Sequence, residues 1–200
     1  MRGILLRTVG ALAALLVASG VSQASAIITV VETGGNVIVS GAGTLNLTSL
    51  TFSNDREGAG GFINASLGLV RTGNRGDPFG PTPETWDDYV GITGPTSFGL
   101  GGPEGSSNGN GTGDIFGVYG GNTVPLLVVP DGYVSGSALS GGMTYFGETI
   151  AALGMMPGAY VWTLPNDTLT LNVGVVPIPA AVWLFGSALG LLGWMRRKAT

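Results

Sequence analysis

Any chemistry in this chain has to be built from carboxylates, hydroxyls, amides and aromatic rings, because histidine and cysteine are absent. That removes Ser-His-Asp and Cys-His nucleophilic sites, imidazole proton transfer and the ordinary zinc ligand sets. The one lysine, Lys198, is third from the end of the sequence, so Schiff-base and Ser–Lys chemistry have no base in the body. Two-carboxylate hydrolysis remains as a type. Asp87 and Asp88 cannot form that pair on a strand, where neighbours point to opposite faces. The composition therefore predicts a protein that is not an enzyme and carries no cofactor.

Two clusters could bind rather than react. Trp86-Asp87-Asp88-Tyr89 sets aromatic faces beside acceptors, the combination a sugar-stacking surface uses. Its plainer reading is a pair of core aromatics with surface carboxylates. Asn108, Asn110 and Asp114 offer oxygens on a glycine-rich stretch, which hard cations such as calcium accept. The spacing matches neither an EF-hand nor a glycine-rich repeat, and a solvated loop is the plainer reading. Four Asn-x-Ser/Thr triplets, at Asn46, Asn64, Asn110 and Asn166, arise readily by chance in Thr- and Asn-rich strands.

The elements that would position these residues read as strands. Glycine and proline make up 48 of the 200 residues, yet β-branched and aromatic residues cluster between turn signals at strand-like spacing. Residues 27–32 and 36–39 flank Thr33-Gly34-Gly35, a hairpin turn. Leu45 and Leu47 alternate, and a phase shift at Thr48-Ser49 implies a bulge before Leu50 and Phe52. Residues 62–69 read as one strand. Tyr160, Trp162 and Leu164 share one strand face, and Leu169, Leu171 and Val173 share the next after a turn at 165–167. Residues 148–153 read as a short helix closed by Gly154, and 101–113 as nearly structureless. The fold class predicted for 27–174 is all-β, a β-sandwich or barrel-like domain with long glycine-rich loops.

Both ends carry targeting patterns. Residues 1–26 have a basic start, a short apolar stretch and Ala24-Ser25-Ala26, a secretory signal peptide predicted to be cut after Ala26. Residues 175–195 lack charge and, as a helix, would span about 31 Å, the thickness of a bilayer core. Their strongly apolar residues favour insertion by about 3–5 kcal/mol. Arg196, Arg197 and Lys198 follow, a positive-inside stop that keeps the C-terminus cytoplasmic and the body outside. All twelve acidic residues lie in 27–174 against Arg56, Arg71 and Arg75, a net charge of −9 with no basic patch for nucleic acid.

The order Val176-Pro177-Ile178-Pro179, apolar run, basic cluster closely resembles the VPLPA-type PEP-CTERM sorting signal, with Ile178 where leucine is commoner. The resemblance covers 176–198. It implies an exosortase substrate of a Gram-negative bacterium, carried by the secretion machinery and anchored transiently in the inner membrane. Residues 153–164 also resemble uncharacterised members of that group, which brings no activity with it. The resemblance implies an exported surface or extracellular-matrix protein, associated with exopolysaccharide or biofilm, in a structural role. The alternative is a secreted carbohydrate- or calcium-binding module. An ordinary C-terminal anchor is the plainer reading of the tail.

Overall fold

The computed structural model of the chain describes residues 25–76, 83–105, 109–121 and 123–174. It is all-β. Two open sheets share one core, and neither closes on itself, which removes the barrel-like option. The first sheet has the order β12-β13-β1-β2-β11-β8 and the second β3-β6-β10-β9-β5-β4-β7. Among the described residues no helix is long and apolar enough to cross a membrane. The tail and Ala24 lie outside the described residues, as does Asn108.

The first sheet follows directly from alternation. β1 (Ser25–Thr33) buries Ala26, Ile28 and Val30, and β2 (Asn36–Thr44) buries Val37 and Val39. Period two puts those residues on one face and leaves their neighbours toward solvent. Gly34 and Gly35 join the strands with φ of 60° and 75°, the two positive values that a tight hairpin turn demands and glycine supplies without strain. β12 (Gly158–Leu164) and β13 (Asp167–Val173) form the second expected hairpin, with Trp162, Leu164, Leu169, Leu171 and Val173 all inward. β13 then pairs with β1 in parallel, from Ser25↔Thr168 to Val30↔Val173. Beyond β2 lie β11 (Ala138–Phe146), burying Leu139, Met143 and Tyr145, and β8 (Gly109–Gly113).

Several expectations are corrected. Residues 62–69 are not one strand but β4 (Phe62–Asn64), a 3-10 turn (Ala65–Leu67) and the start of β5 (Leu69–Arg71). Asn64 breaks the run, because its side-chain oxygen accepts from Leu67 N–H at 3.3 Å and from the Ser66 hydroxyl at 2.9 Å. The 101–113 stretch contains two strands, β7 (Pro103–Gly105) and β8. Glycine suits β8 for a packing reason, since a Cβ on Gly111 would collide with the Gly73 carbonyl oxygen. Residues 148–153 make a single turn, with Leu153 N–H donating to Thr149 O at 3.0 Å and Gly154 closing it at φ 63°. It goes no further because Met155 bridges to Gly99. The expected bulge at 48–49 is a turn, and the register shift falls later, between Phe52 and Asn54 of β3 (Thr51–Gly58).

The second sheet continues through β6 (Glu84–Val90), β9 (Gly117–Tyr119) and β10 (Leu126–Pro130). Leu127 and Val129 of β10 join Ile63, Val70 and Val118 in the core shared with the first sheet. That fixes which side of β6 faces inward.

Candidate functional site

β6 carries the aromatic–acidic cluster, and its register with β10 splits it. Asp87 and Tyr89 are the partners of Val129 and Leu127, so they share the core-facing side. Asp88 pairs with Val128, which packs with Trp86 and Ile115 in a small separate cluster on the opposite side. Trp86-Asp87-Asp88-Tyr89 is therefore two half-sites on two faces.

On the side away from the core, Asp88 is fully engaged. Its Oδ2 accepts from Arg56 Nε at 2.9 Å and its Oδ1 from Trp86 Nε1 at 3.1 Å. The Arg71 guanidinium lies 4.2 Å from the Trp86 ring centroid and donates to Ala59 O at 2.9 Å. Burial lowers the Arg71 pKa to about 10 against the pull of Asp88. A cavity of about 190 Å³ adjoins these groups, with Leu69, Tyr119 and Leu126 in its wall. Trp86 is only 7% exposed, so with Arg71 over it its face is no platform for stacking a sugar.

The core-facing side holds the other half. β3 pairs antiparallel with β6, and after the bulge Asp55 stands opposite Asp87. Pro130, Asp131, Gly132 and Tyr133 turn out of β10, with Tyr133 N–H donating to Pro130 O at 3.0 Å. Asp55, Asp87 and Asp131 each bring a carboxylate oxygen within 4.8 Å of the other two. Asp87 is buried, while Asp55 and Asp131 are exposed. Gly132 N–H donates to Asp87 Oδ2 at 3.1 Å, and Asp87 Oδ1 has no hydrogen-bond partner among the described residues. Burial pushes the Asp87 pKa up from its ordinary 3.8. The Gly132 N–H opposes that shift, and the nearby Asp55 and Asp131 carboxylates reinforce it. Tyr89, half-buried edge-on to Phe52 at 5.7 Å, has its pKa raised by burial and by the Asp87 and Asp55 carboxylates.

Sequence reasoning picks out Asp87 but misses Asp55 and Asp131. Pro130-Asp131-Gly132 directly after the apolar run 126–129 is a legible turn signal. Asp55 is hidden, because the bulge changes which face it occupies. Of the other cation candidate, Asn108 lies outside the described residues, Asn110 lies in β8 opposite Thr144 rather than on a loop, and Asp114 Oδ2 accepts from Ser140 N–H at 2.7 Å. Comparison with protein-family models, curated proteins and solved structures returned no match.

Proposed function

We propose that this chain is an exported bacterial surface or extracellular-matrix protein with a non-catalytic structural role, delivered through its C-terminal signal to an exosortase. The observation that carries the reading is the order Val176-Pro177-Ile178-Pro179, apolar run, Arg196-Arg197-Lys198 immediately behind the last strand. A leader at the opposite end and a body with a net charge of −9 agree with that destination. In this role the precursor sits in the inner membrane with its C-terminus cytoplasmic, and the processed body meets extracellular polysaccharide.

The leader's cleavage point needs revision on this reading. Ala26 is fully buried in β1 and pairs with Leu169 on one side and Gly43 on the other. Cutting after Ala26 would strip Ser25 and Ala26 from the ladder. Ser22-Gln23-Ala24 has small residues at the same spacing, and cutting after Ala24 leaves β1 whole.

Intact-mass measurement on protein recovered from the native host tests both points. The expected product begins at Ser25 and lacks the basic tail. Replacing Pro177 and Pro179 with alanine should keep the body folded and the precursor inserted, since both residues lie beyond β13 and alanine favours helix. The variant should accumulate in the membrane at full tail length. Wild-type processing in that variant would make the tail a plain anchor.

A further inference from the structure

Three acidic side chains from three elements converge at one edge of the second sheet. Asp55 comes from the edge strand β3, Asp87 from β6, and Asp131 from the turn that leaves β10. Close carboxylates are common on acidic surfaces, and alone they say little. The second observation is the state of Asp87. It is 6% exposed, its Oδ2 is held by Gly132 N–H, and its Oδ1 is buried without any donor among the described residues. A buried carboxylate oxygen without a partner is costly, and adding two more carboxylates beside it makes the cost larger. A proton shared between Asp87 and Asp55 would satisfy one oxygen on each and leave Asp131 charged beside them. A divalent cation would satisfy all three groups at once and neutralise two of their three charges.

We propose that Asp55, Asp87 and Asp131 bind calcium, and that the ion pins the edge strand β3 to β6 and to the β10–β11 turn. Calcium takes oxygen ligands at about 2.3–2.6 Å, so ligands across its sphere stand roughly 4.6–5.2 Å apart. The three carboxylate oxygens fall inside 4.8 Å, which fits that sphere. Magnesium demands a strict octahedron at about 2.0–2.1 Å and gives up its waters reluctantly, so an open site of three carboxylates favours calcium. Asp55 and Asp131 also line a cleft of about 440 Å³, which gives an ion and its remaining waters a way in.

The donors are held in advance. Tyr133 fixes the turn: its hydroxyl donates to Ser137 O at 2.6 Å and accepts from Leu45 N–H at 3.0 Å. Gly132, at φ 66°, donates its N–H to Asp87 Oδ2 and so holds the carboxylate in place. With two of the three ligands exposed, the affinity belongs with open extracellular sites, about 10⁻⁴–10⁻³ M. In a chain without cysteine the ion supplies the cross-link that a disulfide would otherwise make. The site rests on the carboxylate geometry and on the buried, unpartnered Asp87 Oδ1, and does not depend on how the protein is sorted.

The test is thermal unfolding of the full-length chain in detergent near neutral pH, at constant ionic strength, with chelator or with about 10 mM calcium. Calcium should raise Tm by about 4–7 °C, and the same concentration of magnesium by less than about half of that. Asp87→Asn should shrink the calcium shift to under about 1 °C while melting no lower than the parent chain in chelator, because it removes a buried charge. Asp55→Asn and Asp131→Asn, both at exposed positions, should each reduce the shift, and Asp114→Asn should leave it whole. A parent chain indifferent to calcium overturns the proposal. So does a full shift retained in Asp55→Asn and Asp131→Asn, or a magnesium shift equal to that of calcium.

Discussion

Asp87 and Asp88 are neighbours in sequence with opposite circumstances. Asp88 is neutralised by Arg56 and by the Trp86 N–H, whereas Asp87 faces two more acids with one oxygen unsatisfied. The difference has a measurable sign. A raised folded-state pKa means that the folded chain keeps its Asp87 proton at a pH where the unfolded chain, near 3.8, has lost it. Between those two values the folded state binds more protons, so stability falls as pH rises through that window. Asp167 acts in the same direction, raised by burial although Asn46 and Thr168 N–H groups hold its carboxylate. In chelator, the Tm of the parent chain should therefore drop as pH climbs from about 4. Asp87→Asn should flatten that slope without abolishing it, since Asp167 remains. An unchanged slope in the variant would mean that Asp87 ionises normally. At this scale the sequence marks Asp87 as notable for the wrong company: it suggests Trp86, Asp88 and Tyr89, while the partners that matter come from β3 and a turn.

The strands that bury one clean face were the readable ones. β1, β2, β12 and β13 alternate strictly, and the two hairpins between them follow from Gly34-Gly35 and Pro165-Asn166. What periodicity could not supply was pairing without a hydrophobic signature. β8 is glycine-rich, and β3 is exposed along almost its whole length, so neither shows an inward stripe. β3 also contains the bulge. Phe52 opposes Tyr89 and Asn54 opposes Asp88, which leaves Ser53 as the extra residue. Were the ladder regular, Asn54 would oppose Asp87, and Asp55 would lie on the Trp86 side. Deleting Ser53 removes the extra residue but keeps Asp55 opposite Asp87. The deletion should thus preserve the calcium shift in Tm, with any loss of stability visible equally in chelator. Loss of the shift alone would show that bulge curvature, rather than register, brings Asp55 to the site. The other edges are guarded differently. Part of β12 is covered by paired hydrogen bonds between Thr93 and Thr163, and Trp162 Nε1 donates to Pro95 O.

At the scale of the molecule, the acidic charge and the all-β class were open in the composition and alternation. The order of strands was not, because alternation shows which face is buried but not which neighbour lies alongside. The parallel seam of β1 and β13 is the clearest case, joining segments more than 140 positions apart. That seam has a mechanical consequence. Because the two strands run the same way, the start of β1 and the end of β13 lie at opposite ends of the pair. Tension between them slides one strand along the other and loads the whole set of cross-strand bonds together. Pulling on Gly158 and Gly174 instead opens the β12–β13 hairpin from its ends, one bond after another. A chain free of cysteine accepts a pair of engineered thiols as unique handles for either geometry. Single-molecule pulling through positions 25 and 174 should rupture at markedly higher force than pulling through 158 and 174, in line with a slower forced unfolding rate. Equal forces would mean that the terminal seam bears no load. On the proposed surface role, a body held at one end and dragged at the other would meet that pull in shear along the seam rather than as an opening hairpin.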